Sequence, residues 1–165
     1  MDIDAFILVG GRSSRMGRDK ATLELDGVTL VDRAAATITK AFDPSSIVLV
    51  ASGPEQVLSI FGHEHSFRFV FDVYPDRGPF GAIHAALANA RTSWIFVMAC
   101  DLPLVTPDLL HVLSEYLADD VDAVASVQPD GKPQPLCAFY RVESCRALID
   151  PIFVRKRPTP AVMWI

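Results

Sequence analysis

The sequence has little cysteine and no long apolar run. Its three cysteines, Cys100, Cys137 and Cys145, include no CxxC pair. This small odd number indicates neither a disulfide framework nor a zinc site. No apolar run reaches the roughly 18 residues of a membrane span, and the acidic start at Asp2 and Asp4 lacks the basic segment of an export signal. We therefore expect a cytoplasmic protein without membrane contact.

Positive charge is also scarce. The chain carries 15 Lys and Arg residues against 20 Asp and Glu residues, for a net charge of -5. Proteins that bind nucleic acid by neutralising phosphates carry the opposite excess, so we expect no nucleic-acid partner. A length of 165 residues and a hydrophobic content of 50% suit a single domain over residues 1–165.

Short apolar runs alternate with helix-like stretches. Strands are predicted at 5–9, 47–51, 68–71, 94–98, 121–127 and 136–140, with a turn at Asp130-Gly131 before the last. Helices are predicted at 30–42, at 81–90 and after the N-cap residue Thr106, where leucines 109, 110, 113 and 117 form an apolar stripe. The first strands are almost continuously apolar, which favours a parallel sheet covered on both faces. The alternation predicts an α/β fold.

The segment from Leu8 to Lys20 has the composition of a phosphate-binding loop. It follows the first predicted strand and contains three glycines, two serines, three arginines and a lysine. Glycines allow close backbone approach to an oxyanion, and hydroxyls and cations supply donors. The spacing matches neither the dinucleotide fingerprint nor the Walker A motif. A solvated βα turn is the alternative, but the crowded cations favour phosphate binding.

Two carboxylates come directly after predicted strands. Asp101 follows the strand 94–98, and Asp72 follows the strand 68–71. If these strands are parallel to the first, both carboxylates and Lys20 lie at the sheet edge where α/β proteins bind ligands. A lone carboxylate such as Asp101 suits Mg²⁺, which binds through one or two carboxylates plus phosphates and water. Together these groups predict nucleotidyl transfer, although either aspartate could instead cap or open a loop.

Other candidates are weaker. The segment His63-Glu64-His65 has metal-ligand spacing but is flanked by turn residues, and His84 and His111 lie within predicted helices. We expect Cys100 to be a small buried side chain and not a nucleophile.

The strongest motifs resemble those of a known family, the molybdenum cofactor guanylyltransferases or MobA family. Residues 8–20, LVGGRSSRMGRDK, resemble its signature L-[AV]-G-G-x-S-x-R-M-G-x-D-K. The segment Gly78-Pro79-Phe80-Gly81 resembles its G-P-L-x-G motif, and Cys100-Asp101-Leu102-Pro103 resembles its C-D-x-P motif. The resemblance extends over residues 5 to about 140. It implies a single-domain, Rossmann-like three-layer sandwich with a mostly parallel central sheet, as in nucleotide-diphospho-sugar transferases.

The resemblance also implies an activity, which is transfer of GMP from GTP onto a molybdopterin-type molybdenum cofactor with release of pyrophosphate. It assigns nucleotide contacts to Leu8, Val9, Gly10, Gly11, Lys20, Asp72 and Asp101. Lys20 and Arg15 would neutralise the triphosphate, and Asp101 would hold Mg²⁺. Cytidylyl relatives usually have Ala-Ala-Gly where this chain has Val9-Gly10-Gly11, so the triplet favours guanine. Transient contacts with molybdenum cofactor biosynthesis or acceptor proteins are also expected.

The chain departs from the family pattern at two places. Ala51-Ser52-Gly53 stands where many relatives have an asparagine, and no N-x-N-T-P motif occurs in residues 155–165. We therefore expect a C-terminus that is short relative to the family. Two alternatives stay open: another nucleotidyltransferase, of cytidylyl or sugar-phosphate type, and a non-catalytic nucleotide-binding adaptor.

Overall fold

Six strands form a mixed sheet through the middle of the protein. The computed structural model describes residues 2–10, 19–61, 67–74 and 77–154, except for the side chain of residue 154. The strands of the sheet are β1 (Ile3–Leu8), β4 (Ser46–Ala51), β5 (Arg68–Phe71), β6 (Trp94–Ala99), β7 (Ala123–Val127) and β8 (Pro133–Arg141). Two short strands, β2 (Glu24–Leu25) and β3 (Val28–Thr29), form a separate hairpin. The helices are α1 (Leu30–Phe42), α2 (Pro54–Phe61), α3 (Pro79–Ala88), α4 (Pro107–Ser114) and α5 (Val142–Val154).

The sheet order is β5-β4-β1-β6-β8-β7. β1 pairs in parallel with β4 and β6, and β5 pairs in parallel with β4. β8 runs antiparallel to β6 and to β7. The carboxyl ends of β1, β4, β5 and β6 therefore lie at one edge, which we call the carboxyl edge. This arrangement confirms the predicted mostly parallel sheet.

Helices cover both faces of the sheet. α1, α2 and α4 pack on one face through Val31, Ile38, Val57 and Leu110, and α3 and α5 pack on the other. All six residues of β1 are buried, which explains their almost continuous apolar character. The predicted three-layer sandwich is confirmed. None of the helices in the described ranges is long and apolar enough to cross a membrane.

The predicted helix limits were right for α1 and partly wrong for the others. Thr106 caps α4 as predicted, because its Oγ1 accepts a hydrogen bond from the backbone N–H of Leu109 at 3.3 Å. The helix ends at Ser114, however, so Leu117 lies beyond it, and Leu109 is exposed. Only Leu110 and Leu113 of the predicted stripe are buried.

Three elements were not predicted. The β2–β3 hairpin has only two residues in each strand, too few for a periodic pattern, although its turn contains an Asp-Gly pair. α2 begins at Pro54 in a polar stretch, and α5 contains Pro151, a residue that normally ends a helix. The predicted turn at Asp130-Gly131 is confirmed, with Gly131 at a φ of 81°.

Asp4 is a buried charged residue within β1. Its Oδ1 accepts a hydrogen bond from Ser46 Oγ at 2.6 Å, and its Oδ2 accepts one from the backbone N–H of Arg91 at 2.8 Å. The carboxylate thereby joins β1 to the start of β4 and to the segment before β6.

We predict that Asp4→Ala destabilises the fold by about 1–3 kcal/mol, because it leaves two part-buried donors without their acceptor and removes the buried carboxylate that joins three segments. The measurement is urea unfolding, with Asp2→Ala as an exposed control that shifts stability by less than about 0.5 kcal/mol. Equal stability of the Asp4→Ala and Asp2→Ala variants would show that the Asp4 hydrogen bonds contribute nothing.

Candidate active site

The candidate site begins where the chain leaves β1 at the carboxyl edge. The backbone N–H groups of Val9 and Gly10 both donate to the carbonyl of Val50 in β4, at 3.0 and 3.1 Å. On the other side, the N–H of Cys100 donates to the carbonyl of Leu8 at 3.1 Å. The exit from β1 is thus held between its two neighbouring strands.

Gly10 allows the chain to pass close to the end of β4. A Cβ at this position would lie 3.1 Å from the backbone nitrogen of Ser52 and 3.3 Å from its hydroxyl oxygen. These distances are tighter than ordinary van der Waals contact, so a larger residue would push the two segments apart. Gly10 is also exposed, which leaves its backbone open to a ligand.

Lys20 and Asp101 meet at the carboxyl edge. Lys20 opens a short 3-10 turn (Lys20–Thr22), which Asp19 caps by accepting a hydrogen bond from the N–H of Ala21 at 3.0 Å. The Nζ of Lys20 lies 2.5 Å from Oδ2 of Asp101, the residue next but one after β6. The expectation that these two groups share an edge is confirmed, although they are 81 positions apart in sequence.

The electrostatics of this pair keep Lys20 charged and add little to the stability of the fold. The hydrogen bond to Asp101 and the negative charge of Asp101 raise the pKa of Lys20, so the lysine is cationic at neutral pH. Both side chains are partly exposed, by 44% and 39%, and exposed ion pairs contribute only about 0–1 kcal/mol. The pair therefore offers a cation and a carboxylate to solvent at little cost to the fold.

Gln56, at the start of α2, is a contact that sequence analysis missed. Its Nε2 donates to the carbonyl of Val9 at 3.0 Å and to Oδ2 of Asp19 at 2.6 Å. Its Oε1 accepts from the backbone N–H and from the hydroxyl of Ser52, both at 2.8 Å. No sequence signal pointed to Gln56, because α2 itself was not predicted.

Asp72 lies at the same edge but apart from the Lys20–Asp101 pair. It follows β5, which is three strands from β6, or about 14 Å at the usual strand spacing. Its backbone N–H donates to the carbonyl of Ala51, and its Oδ1 accepts from the N–H of Tyr74 at 2.7 Å. Burial raises the pKa of Asp72, and the Tyr74 N–H bond and the charge of His84 oppose that increase.

Gly81 makes room for the Asp72 carboxylate. A Cβ on Gly81, in the first turn of α3, would collide with both carboxylate oxygens of Asp72 and lie 2.5 Å from the carbonyl oxygen of Tyr74. Asp72 consequently sits against the amino end of α3, where the helix dipole favours a negative charge. The Gly-Pro-Phe-Gly motif therefore has a physical role, in which Pro79 begins the helix and Gly81 admits the carboxylate.

The other candidates contribute little to this site. Cys100 is buried, and its burial raises its pKa to about 12, so it is a protonated thiol, as expected. His84 and His111 lie in α3 and α4 and face Asp150 and Glu115. Gly11, Arg15 and the segment 63–65 lie outside the described residues, so the predictions for them stand as predictions.

The described ranges contain no group of three or more His, Cys, Asp or Glu side chains arranged around a common metal position. The chemistry of Asp101, a single accessible carboxylate at the sheet edge, fits an ion such as Mg²⁺ that takes most of its ligands from phosphates and water. It does not fit an ion held by a cage of protein ligands.

The raised pKa of Asp72 generates a prediction about stability. The folded protein retains the Asp72 proton to higher pH than the unfolded chain, so wild-type stability falls as pH rises through the folded pKa. Asp72→Asn keeps the acceptor for the Tyr74 N–H and removes the charge. We expect this variant to be more stable than the wild type at neutral pH, and the difference to vanish below pH 3.8, the ordinary pKa.

Urea unfolding at neutral and acidic pH measures this difference. Asp119→Asn, at an exposed turn position after α4, is the matched control and should change stability by less than about 0.5 kcal/mol. A wild type that is more stable than Asp72→Asn at neutral pH would contradict the prediction.

Comparison with known proteins identifies the family. The chain matches the family model described as MobA-like NTP transferase domain over residues 5–153. It is 31% identical over 162 residues to a protein named "Probable molybdenum cofactor guanylyltransferase" from Peptoclostridium acidaminophilum, covering 93% of this chain and 68% of that protein. A protein of the same name from Clostridium perfringens strain 13 is 32% identical over 148 residues, covering 88% of this chain and 69% of the relative.

A solved structure agrees with these matches. It is the molybdopterin-guanine dinucleotide biosynthesis protein A from Archaeoglobus fulgidus, with a TM-score of 0.73 and 25% identity. The match covers 94% of this chain and 75% of the other. On the family model, the relatives and the shared fold, the chain belongs to the MobA-like NTP transferase family of nucleotidyltransferases.

Proposed function

We propose that this chain transfers GMP from GTP onto the molybdopterin-type molybdenum cofactor, with release of pyrophosphate, as one nucleotidyltransferase domain over residues 1–165. The observation that carries the proposal is the Lys20–Asp101 pair, which stands beside the β1 exit at the carboxyl edge. The names of the relatives support guanylyl transfer to this acceptor.

The reaction requires the protein to position the substrates and neutralise charge, and it does not require proton transfer. The terminal phosphate of the acceptor is already anionic at neutral pH, so its attack on the α-phosphorus of GTP needs no general base. The bond from the α-phosphorus to the bridging oxygen breaks, and pyrophosphate leaves with the electron pair. Lys20, with Arg15, neutralises the negative charge on the triphosphate and on the departing pyrophosphate.

Asp101 would hold Mg²⁺ through its partly exposed carboxylate. When bound, the ion neutralises charge on the phosphate oxygens and orients them. Asp101 accepts Lys20 on Oδ2, and its other oxygen has no protein donor among the hydrogen bonds of the described residues. Divalent metal use is general in NTP transferases, and the choice of Mg²⁺ is part of this proposal.

The remaining nucleotide contacts divide between backbone and side chain. Leu8 and Val9 are buried, and their backbone groups bond to Cys100, Val50 and Gln56, so we assign them van der Waals contact with GTP at the sheet edge, next to Gly10 and Gly11. Asp72 contacts the nucleotide farther along the same edge, three strands from Asp101. The triplet Val9-Gly10-Gly11 is the basis for guanine.

We also propose where the protein acts and which proteins it contacts. A cytoplasmic location and transient contacts with molybdenum cofactor biosynthesis or acceptor proteins suit an enzyme with this substrate. The net charge of -5 gives no reason to add nucleic acid as a partner.

We predict that Lys20→Ala and Asp101→Asn each lower turnover by about 10²–10³-fold, the usual loss when a group that stabilises developing charge is removed. The measurement is pyrophosphate release from GTP with the molybdopterin acceptor. Because the ion pair is exposed, both variants should unfold within about 1 kcal/mol of the wild type.

Lys132→Ala, which breaks the exposed Lys132–Asp130 pair on the β7–β8 turn, is the matched control and should retain full turnover. Full activity in Lys20→Ala or Asp101→Asn would remove that residue from the site. GTP binding without pyrophosphate release in the wild type would favour the non-catalytic adaptor.

A further inference from the structure

We propose that Gln56 is a positioning residue for the triphosphate site. Its side chain joins Val9, at the exit from β1, to Asp19, directly before Lys20. It thereby fixes the position of Lys20. The inference rests on the proposed function, because it concerns the same nucleotide site. Its evidence is independent of that function, since it consists of four hydrogen bonds made by a single side chain.

The orientation of the Gln56 amide follows from the chemistry of its neighbours. The carbonyl of Val9 and the carboxylate of Asp19 are acceptors only, so the NH₂ group must face them. The backbone N–H of Ser52 is a donor only, so the amide oxygen must face it. Both amide hydrogens and both lone pairs of the oxygen are used. A flipped amide would lose the bonds to Val9, to Asp19 and to the Ser52 N–H, and would keep only one to the Ser52 hydroxyl, as an acceptor.

Asp19 connects the Gln56 side chain to the turn that contains Lys20. Its Oδ2 accepts from Gln56, while its Oδ1 accepts from the N–H of Ala21 and so caps the turn that contains Lys20. At the other end of the turn, the N–H of Leu23 donates to the carbonyl of Lys20 at 3.1 Å. A change at Gln56 therefore alters the position from which the Lys20 side chain reaches Asp101.

Gln56 itself is attached to a rigid part of the fold. The next residue, Val57, is 7% exposed and belongs to the core cluster on the face of the sheet that α1 and α4 also cover. The partner of the amide oxygen, Ser52, follows directly on β4. The carboxyl end of β4 and the start of α2 thus form a fixed base, and the hydrogen bonds to Val9 and Asp19 anchor the loop ends on it.

The sharpest test replaces Gln56 by Glu, which has the same shape. The substitution replaces the NH₂ group by a carboxylate oxygen, which then faces the Asp19 carboxylate and the Val9 carbonyl, so two attractive contacts become repulsive. We expect the dissociation constant for GTP with Mg²⁺, measured by isothermal titration, to rise by at least about tenfold. Gln128→Glu, the same change at an exposed residue of the β7–β8 turn, is the matched control and should bind like the wild type.

Two double variants separate positioning from a general effect on folding. Asp19→Asn combined with Gln56→Glu restores a donor–acceptor pair with reversed roles, so it should recover part of the lost affinity. In a Lys20→Met background, Gln56→Glu should cost much less than it does alone, because the residue through which Gln56 acts is already absent. A purely structural role for Gln56 would leave the two losses additive.

The outcomes distinguish this inference from the proposed function. If wild-type protein does not bind GTP, the proposed function fails. If the wild type binds GTP and Gln56→Glu binds equally well, or its loss adds fully to that of Lys20→Met, the positioning role is wrong and the function stands. Should Gln56→Glu not fold, as judged by circular dichroism, Gln56→Met removes the same hydrogen bonds without adding charge, and an unchanged affinity in that variant overturns the inference.

Discussion

The parallel pairing of β1 with β4 on one side and β6 on the other is the constraint on which the site depends. This pairing brings the end of β1 beside Asp101, and the backbone hydrogen bonds to Val50 and from Cys100 continue it past the last residue of the strand. Had β6 run antiparallel, Asp101 would lie at the opposite edge of the sheet. Contact between Lys20 and Asp101 follows from topology, and neither local segment could produce it alone.

The two helical layers then supply different parts of the edge. On one face, α2 contributes Gln56, which holds the ends of the β1 loop. On the other face, α3 contributes Gly81, whose missing side chain admits the carboxylate of Asp72. The polar groups of this edge are thus anchored on an apolar core. One consequence is that the Asp72 carboxylate is partly withdrawn from water, and this desolvation raises its pKa.

The Lys20–Asp101 ion pair adds little to the stability of the fold. Both side chains of the Lys20–Asp101 pair are partly exposed, whereas the buried carboxylate of Asp4 near the other end of β1 accepts a hydrogen bond on each oxygen. The charged groups at the two ends of β1 therefore have different roles. At the amino end a carboxylate holds strands together, and at the carboxyl edge a charged pair remains available to a ligand.

Much of this arrangement was predictable because buried parallel strands are almost continuously apolar. The cap at Thr106 and most strand limits, to within two residues, followed from local patterns, although β8 begins three residues before its predicted start. The shared edge of Lys20 and Asp101 followed only once the strands were taken to be parallel. Gln56 did not, because its partners are 37 and 47 positions away and because its eight-residue helix begins at Pro54, directly after Ser52 and Gly53, a run that is typical of a loop. Leu109 was misplaced because periodicity alone does not decide which of two adjacent leucines faces the core.

Much of the candidate site was predictable as well, but only as a list of residues. The Gly-Pro-Phe-Gly motif could be recognised from sequence, whereas the reason for Gly81 required the position of Asp72 in space. The separation of Asp72 from Asp101 likewise depends on strand order, which no local pattern encodes.

The central claim is that the carboxyl edge binds a guanine nucleotide through its triphosphate. The most direct test is isothermal titration of GTP and of CTP, each with Mg²⁺, into the wild type and into Asp101→Asn. The account predicts that GTP binds more tightly than CTP and that its affinity falls in the variant. Equal affinity for both nucleotides would contradict the assignment of guanine, and GTP binding that is unchanged in Asp101→Asn would contradict the assignment of the site.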